Sequence, residues 1–281
     1  MSGAMTMSAE VVRPTLGTVA NIGFLRRQGT GQTLPLVLLH GIGSNAHSFE
    51  PLMAALPPSQ TIVAWNAPGY PTSTPLVVAT PTPRDYAAAL VRLLDALDLK
   101  QIVLVGHSLG ALFAASLAAH DPARIANVAL ISPALGYRVA PGAALPPTVQ
   151  ARLDELDSIG PQAFAEKRAA RLVHDAERKP QVLAAVREAM ASGNPAGYAQ
   201  AVHALGAGDL IADLGCIAAP TLVAVGAEDV VTPPANARAA FLALANPTGF
   251  FEIAKAGHAL PQEDPAAVAR FLSQLIESSH G

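Results

Sequence analysis

The sequence predicts an α/β fold, in which a mostly parallel sheet is flanked by helices and carries an inserted helical cap. Short segments rich in Val, Ile and Leu alternate with longer helical segments, which is typical of βαβ units. This alternation stops after Pro133, where helical segments follow one another without a clear strand. It resumes at Thr221, so the helical stretch is predicted to be an insertion between two strands of one sheet.

The predicted strands are short and apolar. They show no polar alternation, which favours strands that are buried on both faces of a parallel sheet. The segments are residues 36–39, 62–65, 102–105, 128–131, 222–225 and 250–253. Ahead of them, residues 15–27 are expected to form an antiparallel hairpin.

Helices are predicted both on the sheet and in the insertion. Those on the sheet are residues 83–97, 109–119 and 265–276. Those in the insertion are residues 149–156, 161–173, 180–191 and 195–205. These assignments predict a core domain formed by residues 1–132 and 210–281, and a cap, or lid, formed by residues 133–209.

The composition argues against several classes of function. The net charge of −3 gives no electrostatic basis for binding nucleic acid or an anionic membrane. The apolar runs are far shorter than the roughly 20 residues that span a bilayer, and residues 1–10 lack the pattern of a signal peptide. The single cysteine, Cys216, allows no intrachain disulfide. We therefore expect a cytoplasmic protein whose partner is a small molecule, while the oligomeric state stays open.

The most informative motif is Gly106-His107-Ser108-Leu109-Gly110. It follows a predicted strand and opens a predicted helix, which is the setting of a nucleophile elbow. Such a tight turn puts the serine into a left-handed backbone conformation, and side chains two residues before and after it would collide with neighbouring backbone. The helix N-terminus directs partial positive charge at the site. Ser108 is therefore the predicted nucleophile.

A serine hydroxyl needs an adjacent base in order to react. His258 is the best candidate, because its loop follows the strand 250–253 and so lies at the same edge of the sheet as the elbow. The acid that orients the base should follow a late strand. Asp229 meets this condition after the strand 222–225, and its neighbour Glu228 is the competitor. Asp229 is favoured, because the loop after it leaves its side chain facing the site.

An oxyanion hole needs two backbone N–H donors. Leu109 should supply one, since it directly follows the nucleophile. The other should come from the loop after the strand 36–39, with Ile42 as the donor, because the glycines beside it let the backbone approach a substrate. His40 in this loop is interpreted as a buried bracing residue, and His107 as structural. No metal or cofactor is expected, because the histidines lack ligand spacing and no phosphate-binding glycine loop follows a strand.

Together these motifs resemble the α/β-hydrolase superfamily over residues 17–275. The matching segments are residues 40–43, 65–69, 106–110, 226–229 and 257–258. The chain is similar to small bacterial members that include enol-lactonases, esterases and meta-cleavage-product hydrolases. It departs from them at Asn66, where members usually carry aspartate. Ser108 occupies the position at which haloalkane dehalogenases and epoxide hydrolases use aspartate, which argues against both activities.

The resemblance implies a serine hydrolase that cleaves a small carboxylic ester or enol-lactone through an acyl-enzyme. The main alternative is hydrolysis of a carbon–carbon bond in a diketo acid by the same triad. Its substrate carries a carboxylate, so a buried arginine would support it, and Arg138, Arg168 and Arg171 are candidates. The loop 42–45 lacks the Gly-Pro-Gly that carbon–carbon hydrolases often have, which disfavours this alternative. A non-catalytic ligand receptor on the same scaffold, or a perhydrolase-like activity, also stays open.

Overall fold

The computed structural model describes residues 13–140 and 142–277. Its eight strands form one sheet in the order β1-β2-β4-β3-β5-β6-β7-β8. The strands are β1 (Thr15–Val19), β2 (Ile22–Arg27), β3 (Leu36–Leu39), β4 (Ile62–Trp65), β5 (Ile102–His107), β6 (Ile125–Ile131), β7 (Thr221–Gly226) and β8 (Pro247–Ile253). Only the β1–β2 and β2–β4 pairs are antiparallel. The prediction of a mostly parallel sheet is confirmed.

Two predictions from the sequence concern a signal peptide and a membrane-spanning helix. The expected absence of a signal peptide concerns residues 1–10, which lie outside the described residues. None of the helices in the described residues is long and apolar enough to cross a bilayer.

Ten α-helices are present in the described residues. They are α1 (Glu50–Ala55), α2 (Pro83–Ala96), α3 (Leu109–His120), α4 (Pro147–Arg168), α5 (Pro180–Ala191), α6 (Pro195–Ala207), α7 (Leu210–Leu214), α8 (Pro234–Leu242), α9 (Leu260–Glu263) and α10 (Pro265–Glu277). The three helices predicted on the sheet correspond to α2, α3 and α10. Many helices begin with proline, whose fixed φ suits the first turn and whose missing N–H costs no hydrogen bond there.

The side chains of each inner strand alternate between two apolar layers. In β3, Val37 and Leu39 pack in a cluster with α2 and α3. Leu36 and Leu38 pack in a second cluster, with α1 and α10 on the opposite face. All four side chains are fully buried. The absence of polar alternation in the sequence therefore reflects a sheet that is covered on both faces.

The segment between β6 and β7 is helical, as predicted, and contains α4 to α7. Its longest helix, α4, is kinked at Gly160, which has φ of 73°, and Pro161 follows the kink. The two helices predicted for residues 149–156 and 161–173 therefore form the two halves of α4 and the short 3₁₀ turn Ala169–Leu172. The domain boundary at residues 133 and 209 stays a prediction.

The insertion docks on the core through backbone contact between two glycines. A Cβ atom at Gly197, in the first turn of α6, would lie 1.9 Å from the carbonyl oxygen of Gly69. Gly69 follows β4 and has φ of +84°, a conformation that favours glycine. Since both contacting atoms belong to the backbone, neither can rotate away, and α6 can sit here only without a side chain.

We expect Gly197→Ala to destabilise the protein by about 2–3 kcal/mol, because an overpacked contact forces backbone to shift. The matched control is Gly193→Ala, where the nearest atom to a new Cβ is 3.4 Å away. The measurement is urea unfolding followed by the fluorescence of the single tryptophan, Trp65, which is fully buried. Equal unfolding midpoints for the two variants would contradict the proposed contact.

Candidate active site

Ser108 lies on the sharp turn that joins β5 to α3. Its backbone has φ of 54° and ψ of −117°, the strained conformation that the motif predicts. Its side chain lies in the cavity described below, while the residue as a whole is buried. The turn thus holds the hydroxyl at the carboxyl edge of the sheet, at the N-terminus of a 12-residue helix.

Three glycines make this turn possible. A Cβ atom at Gly106 would lie 2.5 Å from the carbonyl oxygen of Gly110, and one at Gly110 would lie 2.2 Å from that of Leu39. A Cβ atom at Gly41 would lie 2.7 Å from the Cβ of Ser108. Side chains at these positions would therefore push apart the elbow, the first turn of α3 and the loop after β3.

The structure brings His258 and Asp229 to Ser108. The Oγ atom of Ser108 is 3.0 Å from Nε2 of His258. The other imidazole nitrogen, Nδ1, is 2.9 Å from Oδ2 of Asp229. Glu228 is exposed, so the carboxylate facing the imidazole is that of Asp229. This is the geometry in which a base can remove a hydroxyl proton while an acid orients the base.

Asp229 is held as a carboxylate in a buried setting. Burial acts to raise its pKa, but the hydrogen bond and charge of His258, together with the backbone N–H groups of Thr232 and Val231, lower the pKa to about 2. Those two N–H groups donate to Oδ1 at 2.9 Å and 2.8 Å. Oδ2 is therefore left to face the imidazole.

Thr232 is a member of the site that the sequence analysis did not identify. Its hydroxyl oxygen lies 3.0 Å from Oδ2 of Asp229, 3.1 Å from Nδ1 of His258 and 2.9 Å from the carbonyl oxygen of Ser132. The hydroxyl ties the acid and the imidazole to the end of β6. The only sequence signal was its place three residues after Asp229, where a hydroxyl can reach back to the carboxylate.

The loop 40–43 is braced by hydrogen bonds from its neighbours. Nδ1–H of His40 donates to the carbonyl oxygen of Gly41 at 2.8 Å, and Nε2 accepts from the N–H of Ala67 at 3.0 Å. The N–H of Gly43 donates to the hydroxyl of Tyr70 at 3.2 Å. Among the described residues, the N–H of Ile42 has no acceptor. Ile42 and Leu109 both line the cavity beside Ser108.

Two buried histidines hold the site without carrying charge. Burial lowers the pKa of His40 to about 4. Burial, and then the charge of His258, lower the pKa of His107 to about 3. Nε2–H of His107 donates to the backbone carbonyl of His258 at 2.8 Å, which fixes the loop that carries the imidazole. Both histidines are neutral at pH 7 and act as hydrogen-bonding braces.

Glu263 joins the histidine loop to the insertion. One oxygen of its fully buried carboxylate accepts from the N–H of Gly257 at 2.8 Å. The other accepts from the N–H of His174 at 3.0 Å and from Nζ of Lys179 at 2.7 Å. A single carboxylate thus connects the residue before His258 with two points of the insertion.

A cavity of about 310 Å³ lies between the edge of the sheet and the insertion. Ser108 and His258 line it from the core, and Phe164, Met190 and Tyr198 line it from the insertion. Its volume is at the lower end of the range for small-molecule sites. The insertion therefore roofs the serine and leaves room for a small ligand.

The arginines considered from the sequence are divided between the cavity and the surface. Arg168 and Arg171 line the cavity. Arg138 does not, and its exposed side chain pairs with Asp209 at 3.2 Å. Arg152, which the sequence analysis did not single out, also lines the cavity. It lies in the helix predicted for residues 149–156 but belongs to no motif, so the sequence alone does not place it in the cavity.

The described residues contain no cluster of three or more histidine, cysteine, aspartate or glutamate side chains suited to a metal ion. The groups that can act on a ligand beside Ser108 are its hydroxyl, the imidazole of His258 oriented by the carboxylate of Asp229, and the backbone donors of Ile42 and Leu109.

Comparison with known proteins identifies the family. The family model of the alpha/beta hydrolase fold matches residues 35–265. The chain belongs to the α/β-hydrolase family. The predicted family resemblance is thereby confirmed, and this α/β-hydrolase is an enzyme with a serine at the position of the elbow nucleophile.

Individual relatives agree with this assignment. RutD of Variovorax paradoxus (strain S110), a proposed carbamate hydrolase, is 32% identical over 203 residues, which cover 70% of this chain and 75% of RutD. The 3-oxoadipate enol-lactonase 2 of Acinetobacter baylyi is 26% identical over 235 residues, covering 83% of this chain and 84% of that enzyme. The crystal structure of the enol-lactonase from Burkholderia xenovorans LB400 superposes with a TM-score of 0.81, at 24% identity, over 94% of this chain and all (100%) of that one.

Because His40 and His107 are buried and neutral, we expect the free energy of unfolding to fall in acid. The unfolded chain binds protons at His40 and His107 below about pH 6.5, whereas the folded chain does so only near pH 4 and pH 3. Acidification through this window therefore favours the unfolded state. From these two residues we expect the free energy of unfolding to fall by about 2–3 kcal/mol between pH 8 and pH 5.5.

The measurement is urea unfolding at a series of pH values, followed by Trp65 fluorescence. The variant His107→Gln keeps a donor for the carbonyl of His258 but does not titrate, so it should lose about half of this pH dependence. An unchanged pH dependence in this variant would show that His107 is not a neutral buried group.

Proposed function

We propose that this α/β-hydrolase cleaves a small carboxylic ester or lactone through an acyl-enzyme on Ser108, with His258 as general base and Asp229 as the orienting acid. The observation that carries the proposal is the continuous hydrogen-bonded chain from Ser108 through His258 to Asp229, at the floor of a roofed cavity. The enol-lactonase relative supports the substrate class, since its overall sequence aligns with most of this chain.

In the first half of the reaction, His258 accepts the proton of Ser108 while Oγ attacks the carbonyl carbon. The negative charge that develops on the carbonyl oxygen is stabilised by the N–H groups of Ile42 and Leu109, which have no internal acceptor among the described residues. His258 then protonates the leaving alcohol or enol. In the second half, water repeats these steps on the acyl-enzyme and releases the acid.

Asp229 contributes through orientation and charge. Because its pKa is lowered to about 2, the carboxylate is ionised at neutral pH. It keeps the proton of the imidazole on Nδ1, so that Nε2 is free to accept the proton of Ser108. It also stabilises the imidazolium that forms during attack.

The decisive experiment measures the release of 4-nitrophenol from short 4-nitrophenyl esters. Ser108→Ala and His258→Ala should each lower kcat by about 10³-fold or more, and the double variant should be little worse, because the two groups act as a unit. Fully additive losses would argue against a shared proton transfer. Stoichiometric labelling of Ser108 by a fluorophosphonate, seen by mass spectrometry, tests the nucleophile directly.

The assignment of the acid has a matched control one residue away. Asp229→Asn should lower kcat by about 10³–10⁴-fold, because an asparagine side chain favours the wrong imidazole tautomer. Glu228→Gln changes an exposed side chain and should leave kcat within a factor of two. Comparable losses in both variants would overturn the assignment.

The roof over Ser108 predicts a narrow choice of acyl chain. A cavity of about 310 Å³ accepts an acetyl or butyryl group but not a long acyl chain in extended form. We therefore expect kcat/KM to fall by at least tenfold from butyryl to dodecanoyl 4-nitrophenyl esters. Efficient cleavage of emulsified long-chain triglycerides would contradict a roofed site.

A second candidate is hydrolysis of a carbon–carbon bond in a vinylogous diketo acid. The arginines that line the cavity favour it, since such a substrate carries a carboxylate. The same panel separates the two candidates when it includes a dienoate substrate. Turnover of the dienoate with kcat/KM above that of every ester and lactone would favour the second candidate.

A further inference from the structure

The cavity beside Ser108 has an uneven charge. Arg152, Arg168 and Arg171 line it, whereas no aspartate or glutamate among the described residues does so. The whole chain carries a net charge of −3, so this positive lining does not follow from a basic composition. All three arginines come from the insertion, on the roof of the cavity.

Arg168 has a carboxylate partner within the protein, Glu155, which it shares with Lys167. Its Nε donates to Oε2 of Glu155 at 2.6 Å, and its guanidinium lies 4.7 Å from the ring centroid of Phe164. Glu155 precedes the kink of α4 at Gly160, and Arg168 follows it. This pair therefore joins the two halves of the helix. The two arginines of the cavity that have no such partner are Arg152 and Arg171.

Neither of these two arginines has a carboxylate partner within the described residues. Arg152 is half-buried and lines the cavity together with Tyr198. Burial raises the pKa of Tyr198, so the hydroxyl keeps its proton. The hydroxyl can therefore donate a hydrogen bond. Arg171 is exposed at the same cavity and has no ion pair.

We propose that Arg152 and Arg171, together with the hydroxyl of Tyr198, form a subsite for a carboxylate group of the substrate. The proposal rests on the proposed function only in taking this cavity as the substrate site. A guanidinium presents two parallel N–H donors that match a carboxylate. The apolar side chains of Phe164, Leu172 and Met190 line the same cavity and suit a short hydrocarbon spacer. The preferred substrate is therefore an ester or lactone that also carries a free carboxylate.

The kinetic test uses pairs of esters that differ only in charge. One pair has the carboxylate on the acyl side: the 4-nitrophenyl monoester of a linear six-carbon dicarboxylic acid, and its neutral methyl ester. The other has it on the alcohol side: 4-acetoxybenzoate and methyl 4-acetoxybenzoate. In at least one pair, kcat/KM should be about 10–100-fold higher for the anion, the range expected for charge-assisted hydrogen bonds.

The variants assign this preference to residues. The double variant R152Q/R171Q should lose at least tenfold in kcat/KM on the preferred anion and less than threefold on its neutral partner. The control is R138Q, which removes an exposed arginine of the same insertion that pairs with Asp209 and does not line the cavity. It should leave both values unchanged.

A binding experiment makes the subsite testable without turnover. In Ser108→Ala, the six-carbon dicarboxylate should bind at least tenfold more tightly than its dimethyl ester by calorimetry, and adding R152Q/R171Q should abolish the difference. Raising the salt concentration should weaken only the binding of the anion.

The outcomes separate the subsite from the reaction. The proposal of a subsite is overturned if, in both pairs, the neutral ester is cleaved as efficiently as the anionic one. It is also overturned if R152Q/R171Q retains the preference for the anion in kinetics and binding. If no ester is cleaved and Ser108 is not labelled, the proposed function fails, while arginine-dependent binding of the dicarboxylate to Ser108→Ala would still support the subsite.

Discussion

Around Ser108, backbone segments from three parts of the chain approach one another more closely than any Cβ atom would permit. The first turn of α3 lies against the end of β3, and the loop 40–43 lies against Ser108 itself. The strained φ of Ser108 persists because these contacts leave no room for it to relax. The position of the hydroxyl, the free N–H groups and the floor of the cavity all depend on this crowding. A change at Gly41, Gly106 or Gly110 would therefore disturb several parts of the site at once.

Neutral, negative and positive groups occupy different parts of the site. The two histidines that brace the site, His40 and His107, are neutral and buried. The buried carboxylate in contact with the imidazole, that of Asp229, accepts hydrogen bonds from the imidazole and from the N–H groups of Val231 and Thr232, and it stays ionised. A low-dielectric site strengthens each of these interactions. Among the described residues, the arginines of the roof that have no carboxylate partner are Arg152 and Arg171, which line the same cavity as Ser108.

Much of this arrangement follows from the sequence, because the strongest constraints leave visible residues. The two-sided sheet requires uninterrupted apolar strands, and the elbow requires glycines at fixed spacing, so the fold, Ser108 and the loop 40–43 could be predicted. Thr232, Glu263 and Arg152 could not. Each acts through a contact between segments distant in the chain or across a kink, and none belongs to a motif. Helix α8 was also missed, since its buried face consists of the small residues Ala237 and Ala240, which give little periodic contrast.

The buried carboxylate of Glu263 sets how the roof can open. It accepts hydrogen bonds from the loop of His258 on one side and from the stretch His174 to Lys179 on the other. Lifting that stretch would leave a buried carboxylate without the donors that the stretch supplies. The docking of Gly197 against Gly69 restrains α6 in the same way. The first half of α4, before Gly160, makes neither contact. That half is held to the second half by the pair between Glu155 and Arg168, so opening this part of the roof would separate two opposite charges.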